Sequence, residues 1–171
     1  MGVTRIGVVG TGAAGVELTL ALNYALAERV RDPAPAQRFE FHLFGSTTTL
    51  LPTHNRRVQA KFQRVFAERG VQVHLGSRVV SVEQDGLCTE NGCRHGLDEI
   101  IWATEASAPA WLQDTTLDVD DRGFIRVEDT LQSVSHKAVF AAGDVASMVN
   151  HPREKAGVFA VRQGPPLAIN L

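Results

Sequence analysis

Cysteine is scarce in this sequence: Cys88 and Cys93 are the only two in 171 residues. That is too few for the disulfide framework of a small secreted domain, and it leads us to expect a reducing, cytoplasmic setting. Long apolar runs are missing as well. No stretch approaches the roughly 18 residues that span a bilayer, and the start, Met1-Gly2-Val3-Thr4-Arg5-Ile6, lacks a signal-peptide layout. No excess of one charge exists either: 17 Lys plus Arg stand against 19 Asp plus Glu, a net charge of −2. Neutralising a phosphate backbone needs a basic surplus, so a nucleic-acid partner is not expected. The six histidines show no metal-ligand spacing with cysteine or carboxylate and are expected to be solvated or core imidazoles. Gly-x-Ser-x-Gly, the nucleophile elbow, is absent, as are internal repeats and low-complexity segments.

What is present is an alternation of strand and helix patterns. Arg5 to Val9 is a short apolar run that ends in a glycine turn, and Ala13 to about Arg31 carries apolar residues at helical spacing. Asp32-Pro33-Ala34-Pro35-Ala36 breaks that helix, because proline removes donors and biases its predecessor towards extended backbone. A strand at Phe39–Phe44, an amphipathic helix at Arg56–Arg69 with Gly70 as its C′ residue, and a strand at Val71–Leu75 follow. Short spacing between these elements predicts an α/β fold, a Rossmann-like doubly wound parallel sheet. Between about 78 and 96, Asp85-Gly86 and Asn91-Gly92 punctuate three extended runs and predict a three-stranded antiparallel meander with two-residue turns. Asp98–Ala103 returns to the sheet, Ala106–Asp121 reads as loop, and Val139–Ala142 reads as one more buried strand. Trp102 and Trp111 are expected to pack against core.

Gly10-Thr11-Gly12-Ala13-Ala14-Gly15 matches G-x-G-x-x-G between a strand and a helix. The first glycine makes the turn, the second lets backbone approach a pyrophosphate, and the third lets helix pack on strand. Amides at the helix start then face the anion. This context predicts dinucleotide binding. The usual partner is a carboxylate at the end of the second strand that accepts from the adenine-side ribose. Here that strand ends Phe44-Gly45-Ser46-Thr47, and Asp32 and Glu40 are poorly placed to substitute. Ser46, Thr47, Arg56 or Arg57 can hold a 2′-phosphate, or these are simply a solvated loop and helix start, so NAD and NADP both stay open. Val139 to Ala146 delivers Asp144 to a strand's carboxyl end, where sugar hydroxyls bind in open α/β sheets; an Asx turn explains the same residues.

Four motifs in order carry a family resemblance: Gly10 to Glu17, Asp98 to Thr104, Gly123-Phe124-Ile125-Arg126-Val127 with Thr130-Leu131-Gln132, and Val139 to Ala146. Together they resemble the pyridine nucleotide-disulfide oxidoreductases, flavoproteins with two dinucleotide-binding domains. Leu50-Leu51-Pro52, Gly70-Val71 and Ala156-Gly157-Val158 through Asn170-Leu171 are similar to the branch near type II NADH dehydrogenases, and most to the flavoprotein fused to selenide, water dikinase. The resemblance implies that Gly10, Gly12 and Gly15 bind the NAD(P)H pyrophosphate, with Glu17 near the nicotinamide; Thr11, Ala13, Ala14, Ser46 and Thr104 are expected to contact the cofactor as well. It implies further that Gly143 and Asp144 meet FAD and that Gln163 faces the flavin. Glu105 departs from the pattern, standing where the family has glycine.

On this reading residues 1–127 form the NAD(P)-binding domain and 128–171 a piece of a second FAD-binding segment. No earlier glycine motif precedes Met1-Gly2-Val3, so the chain is expected to be an excised portion that holds no stoichiometric FAD. The segment after Val139 is then expected to be an orphan strand and an interrupted helix, able to pair with a second copy of the chain. Cys88 and Cys93 are expected to stay free thiols, because a two-residue Asn91-Gly92 turn sets Cys88 opposite His95 and the two sulfurs diagonal, about 7–8 Å apart at Cα. Three functions stay in play: the NAD(P)H-binding portion of an FAD-dependent oxidoreductase, a non-catalytic dinucleotide-binding or sensor module, and a methyltransferase-like domain. The missing ribose carboxylate counts against the last, and the Gly143-Asp144 segment against the second.

Overall fold

A computed structural model describes residues 2–29, 38–104 and 107–171. The expected helix end at Val30–Arg31, the proline break at 32–36 and the departure at Glu105 lie outside the described residues. The chain divides into two compact units, Met1–Thr104 and Glu105–Leu171.

The first unit is built on a four-stranded parallel sheet, β1 (Val3–Val9), β2 (Arg38–Phe44), β3 (Gln72–His74) and β7 (Glu99–Trp102), in the order β3-β2-β1-β7. Helices α1 (Ala13–Arg29) and α2 (Arg56–Glu68) make the crossovers after β1 and β2. The strands read as apolar runs because both faces are covered. On one face Ile6, Val8, Phe41 and Leu43 meet Val16 of α1 and Phe66 of α2. On the other, Val9 and Phe44 meet Leu87 and Leu97. Asn55 starts α2 by accepting from the Arg57 and Val58 amides, both at 3.1 Å. Gly70, at φ +66°, ends it with the Val71 amide on the Phe66 carbonyl and its own amide on that of Ala67. This is the paired closure that a left-handed C′ residue permits, at the C′ position expected for Gly70.

The second face is covered by the antiparallel meander β4 (Val79–Glu83), β5 (Gly86–Thr89) and β6 (Arg94–Gly96). The expected turn residues need correction. Glu83 pairs with Gly86, so Gln84 and Asp85 make the first turn, and Gly86 opens β5 at φ +154°, where a Cβ would lie 2.0 Å from the His95 carbonyl oxygen. The second turn holds three residues, since Cys88 is opposite Arg94, not His95, and the Thr89 amide donates to the Cys93 carbonyl at 2.9 Å. Asn91 Oδ1 accepts from Thr89 Oγ1 and the Cys93 amide, and Gly92 takes φ +81°, the pattern of a three-residue hairpin loop. A one-residue slip turns Cys93 to the opposite face from Cys88, and both are free thiols.

The second unit contains β8 (Ile125–Val127) parallel to β9 (Ala146–Met148), and the helix α3 (Gly157–Asn170). Thus β8, which ends at the expected domain boundary of 127, pairs with a strand from beyond it. The expected loop at 106–121 contains a 3-10 turn, Ala110–Asp114, whose Leu112 is buried. Val139–Ala142 is not a sheet strand: it forms an isolated bridge, Gln132 with Phe140, with Ser133 N–H donating to the Val139 carbonyl and Ala141 N–H to that of Leu131. The segment is therefore not an orphan, which removes the reason for expecting it to recruit a second copy. Nor is α3 interrupted. It runs through Pro165 and Pro166, which remove two amide donors but no carbonyl. Trp102 and Trp111, expected in the core, are 56% and 62% exposed.

Candidate functional site

The glycine turn opens at the carboxyl end of β1. The Gly10 amide donates to the Phe44 carbonyl at 2.8 Å, binding the turn to β2. At φ +130° Gly10 lies so close to β7 that a Cβ would sit 2.2 Å from the Ala103 carbonyl oxygen. A Cβ on Gly15 would lie 1.8 Å from the Gly10 carbonyl oxygen, so this glycine brings α1 against the turn. Gly12 differs: it is exposed, and a Cβ there would meet nothing within 4 Å. The fold does not require glycine at 12, whereas a ligand seated on its backbone does. The Val16 amide makes the first helical bond, to the Gly12 carbonyl at 3.1 Å, which leaves the preceding amides of α1 aimed out of its start. Ala13 and Ala14 are exposed beside them, with Glu17 exposed one turn further on. This open backbone cradle fits a pyrophosphate.

Thr11 is buried and holds the turn from behind. Its carbonyl accepts from the Leu51 amide at 2.9 Å, and its hydroxyl meets that of Thr47 at 3.2 Å. Leu51 is a non-glycine residue at φ +50°, a conformation that costs of order 1 kcal/mol or more and must be held by its surroundings. Gln59 holds it, donating Nε2 to the carbonyls of Leu51 at 3.2 Å and His54 at 2.9 Å. Nothing in the sequence announces Leu51 or Gln59 in this role.

At the end of β2 the missing carboxylate has a steric cause. A Cβ on Gly45 would lie 2.2 Å from Thr11 Oγ1 and 2.3 Å from Thr11 Cγ2, so Thr11 fills the space in which a longer side chain would begin. Ser46 is exposed, while the Thr47 hydroxyl is committed to the Thr49 carbonyl at 2.8 Å. Arg56 and Arg57 are exposed at the start of α2, and Thr104 is exposed just beyond Ala103.

Three of the six histidines, His42, His74 and His95, pack together against Phe44. His74 stacks on Phe44 at 4.5 Å between centroids, and His95 meets both rings edge-on at 4.8 Å. His42 Nδ1 lies 3.1 Å from His74 Nε2, and His42 Nε2 is buried with no hydrogen-bond partner. Burial, reinforced by His95 and His42, lowers the His74 pKa to about 4; burial also lowers that of His42. Among the described residues no group of His, Cys, Asp and Glu is arranged to hold a metal.

The remaining expected residues belong to the second unit. Gly143 (φ +72°) and Asp144 lie in a 3-10 turn, with Asp144 exposed. The Gln163 carboxamide is already engaged: its Oε1 accepts from the Gly143 amide at 2.6 Å and its Nε2 lies 3.5 Å from Met148 Sδ. It braces the turn from α3. Lys155 Nζ donates to the Ala146 carbonyl at 2.6 Å and lies 3.9 Å from the Phe124 ring centre.

A strand, a glycine turn and a helix at the carboxyl edge of a parallel sheet, with an open second glycine, define a dinucleotide-binding α/β unit. Over residues 2–169 the sequence matches the pyridine nucleotide-disulphide oxidoreductase family, and the chain belongs to it. A type II NADH:quinone oxidoreductase of Haemophilus influenzae is 29% identical over 149 residues, covering 85% of this chain and 34% of that protein. Its fold resembles the water-forming NADH oxidase of Lactobacillus brevis bound to NADH, with a TM-score of 0.77 at 22% identity over 98% of this chain and 36% of that one. An NADPH-bound variant of that oxidase scores 0.73 at 21% identity, covering 98% and 36%; its five substitutions include Asp to Ala, followed directly by Ala to Arg and Met to Ser. At such identities the structural likeness shows the fold alone. The chain spans about a third of the length of the curated relatives it matches. No described helix is long and apolar enough to cross a membrane.

Proposed function

We propose that this chain is the NAD(P)H-binding portion of an FAD-dependent pyridine nucleotide oxidoreductase. The observation that carries the reading is the contrast among the three glycines: Gly10 and Gly15 are required by the fold, while Gly12 is required only if something lies on it. Bound nicotinamide supplies a hydride to a flavin in the whole protein, and the residues here bind and orient rather than transfer protons. Asp144, exposed at its turn, is proposed to accept from FAD hydroxyls, with Gln163 holding that turn in place instead of touching the flavin.

The β2 end favours neither nicotinamide cofactor by charge. Thr11 excludes a carboxylate at Gly45, so a 2′-phosphate meets no repulsion, and Ser46 supplies a hydroxyl beside it. The engineered NADPH oxidase supports this, since it too exchanged an aspartate for a small residue and gained a serine. We therefore expect NADH and NADPH to bind within about tenfold of each other. Calorimetric titration with NADH, NADPH and FAD, repeated on Gly12→Ala, tests the reading. The expected result is nicotinamide binding by the native chain, weakened at least about tenfold in Gly12→Ala with thermal stability unchanged. Unweakened binding in Gly12→Ala, or no binding by the native chain, overturns it.

A further inference from the structure

Trp102 is unusual for a residue that ends a strand of a covered parallel sheet. Its neighbours on β7 are accounted for: Ile101 packs against the helix-side core and Ile100 against the meander-side core. Trp102 packs into neither and stays 56% exposed. It pairs in register with Val9, the residue before Gly10, and the next amide, that of Ala103, donates to the Val9 carbonyl at 2.8 Å. The indole thus stands on the same carboxyl edge as the glycine turn, one strand away.

The sheet order gives that position meaning. From β1 the chain steps outward through β2 and β3, then returns to the other side of β1 as β7, so the strand order reverses between β1 and β7. Open parallel sheets bind ligands in the crevice at such a reversal. A dinucleotide with its pyrophosphate on the glycine turn lays its adenosine towards the end of β2, where ribose is normally read, and its other nucleoside towards β7. The β2 end offers only Gly45, Ser46 and Thr47, whereas the β7 end offers an uncovered indole.

We propose that Trp102 is the contact surface for the nicotinamide-riboside half of the bound dinucleotide, an inference that rests on the NAD(P)H-binding reading above. An indole presents a flat apolar face and one N–H donor, which suits a planar ring bearing a carboxamide, and such ring pairs prefer offset stacking. Exposed in the absence of ligand, this face gains by being covered.

The test compares NADH with ADP-ribose, which keeps the adenosine and pyrophosphate but lacks nicotinamide. Titrations use the native chain, Trp102→Ala and Trp102→Phe. In Trp102→Ala the Kd for NADH is expected to rise about fivefold, with that for ADP-ribose unchanged, and Trp102→Phe recovers most of the loss because a flat ring remains. In Trp111→Phe, where Trp102 is the sole tryptophan, NAD is expected to quench the indole emission and ADP-ribose to leave it unchanged. Equal weakening of both ligands in Trp102→Ala, or no weakening of either, overturns the proposal while leaving dinucleotide binding intact. Failure of the native chain to bind both ligands removes the underlying reading as well.

Discussion

Acidification from pH 7.5 to 5.0 should loosen the first unit through His74, and the size of the effect follows from its surroundings. The imidazole is stacked on Phe44 and close to His42 and His95, and burial first, then those neighbouring rings, lowers its pKa from 6.5 to about 4. Between those two values the unfolded chain binds a proton that the folded chain refuses. Stability is therefore fully present above pH 6.5 and falls as the pH drops towards 4. At pH 5.0 the difference is worth about 2 kcal/mol for a fully enclosed ring, and roughly 1 kcal/mol after allowing for the solvent that reaches this partly buried one. His42 adds in the same direction: its burial is opposed by Glu40 on the same strand and reinforced by His95 of the meander and Arg5 of β1. With a urea slope of about 2 kcal/mol/M, the midpoint measured by circular dichroism should fall by about 0.5 M or more. In His74→Phe, where a ring still covers Phe44 but cannot be protonated, the fall should be at most half as large. An equal fall in His74→Phe, or none in the native chain, refutes this account.

Three other outcomes follow from the same geometry. Gly15→Ala drives a Cβ into the Gly10 carbonyl oxygen, so it should lower the melting temperature by about 5–10 °C and abolish nucleotide binding together, in contrast to Gly12→Ala. Gln163→Leu leaves the Gly143 amide without its acceptor; a loss of about 1–2 kcal/mol and faster hydrogen exchange at Gly143, with exchange in β1 and β2 unchanged, would bear this out. Leu97→Ala empties the space against Gly7 on the meander side and should cost about 2–4 kcal/mol by urea unfolding, with the buried Phe44 region losing protection first.

The sequence showed most of the first unit because its signals are local. Apolar runs, the Gly70 stop and the glycine motif act within a few residues of themselves, and each sits where its pattern put it. The local signals mislead where distant residues decide. The hairpin slipped by one residue because Asn91 Oδ1 accepts from Thr89 and Cys93 and so stabilises the longer loop. The segment Val139–Ala142 has the composition of a strand, but its partners at 131–133 meet it only through a single bridge. Leu131 takes a left-handed turn there, at φ +64°, that no residue type announces. The histidines were invisible as a cluster because His42, His74 and His95 come together only through the β2–β3 register and the docking of β6.

The candidate site divides along the same line, and the division sharpens what the glycine motif means. The motif names three glycines as equivalents, whereas the structure separates them by what each would strike: the Ala103 carbonyl oxygen for Gly10, nothing for Gly12, the Gly10 carbonyl oxygen for Gly15. Two of the three would be needed by an α/β crossover that bound no ligand, so they speak only to the fold. The absent carboxylate likewise changes meaning. Read as a string, the end of β2 lacks a residue. In the structure Thr11 occupies the space that residue would enter, with its carbonyl held by a strained Leu51 and its hydroxyl by Thr47. A neutral ribose end is thus built by the packing of the turn itself, and restoring a carboxylate at position 45 would require replacing Thr11 with a smaller residue at the same time.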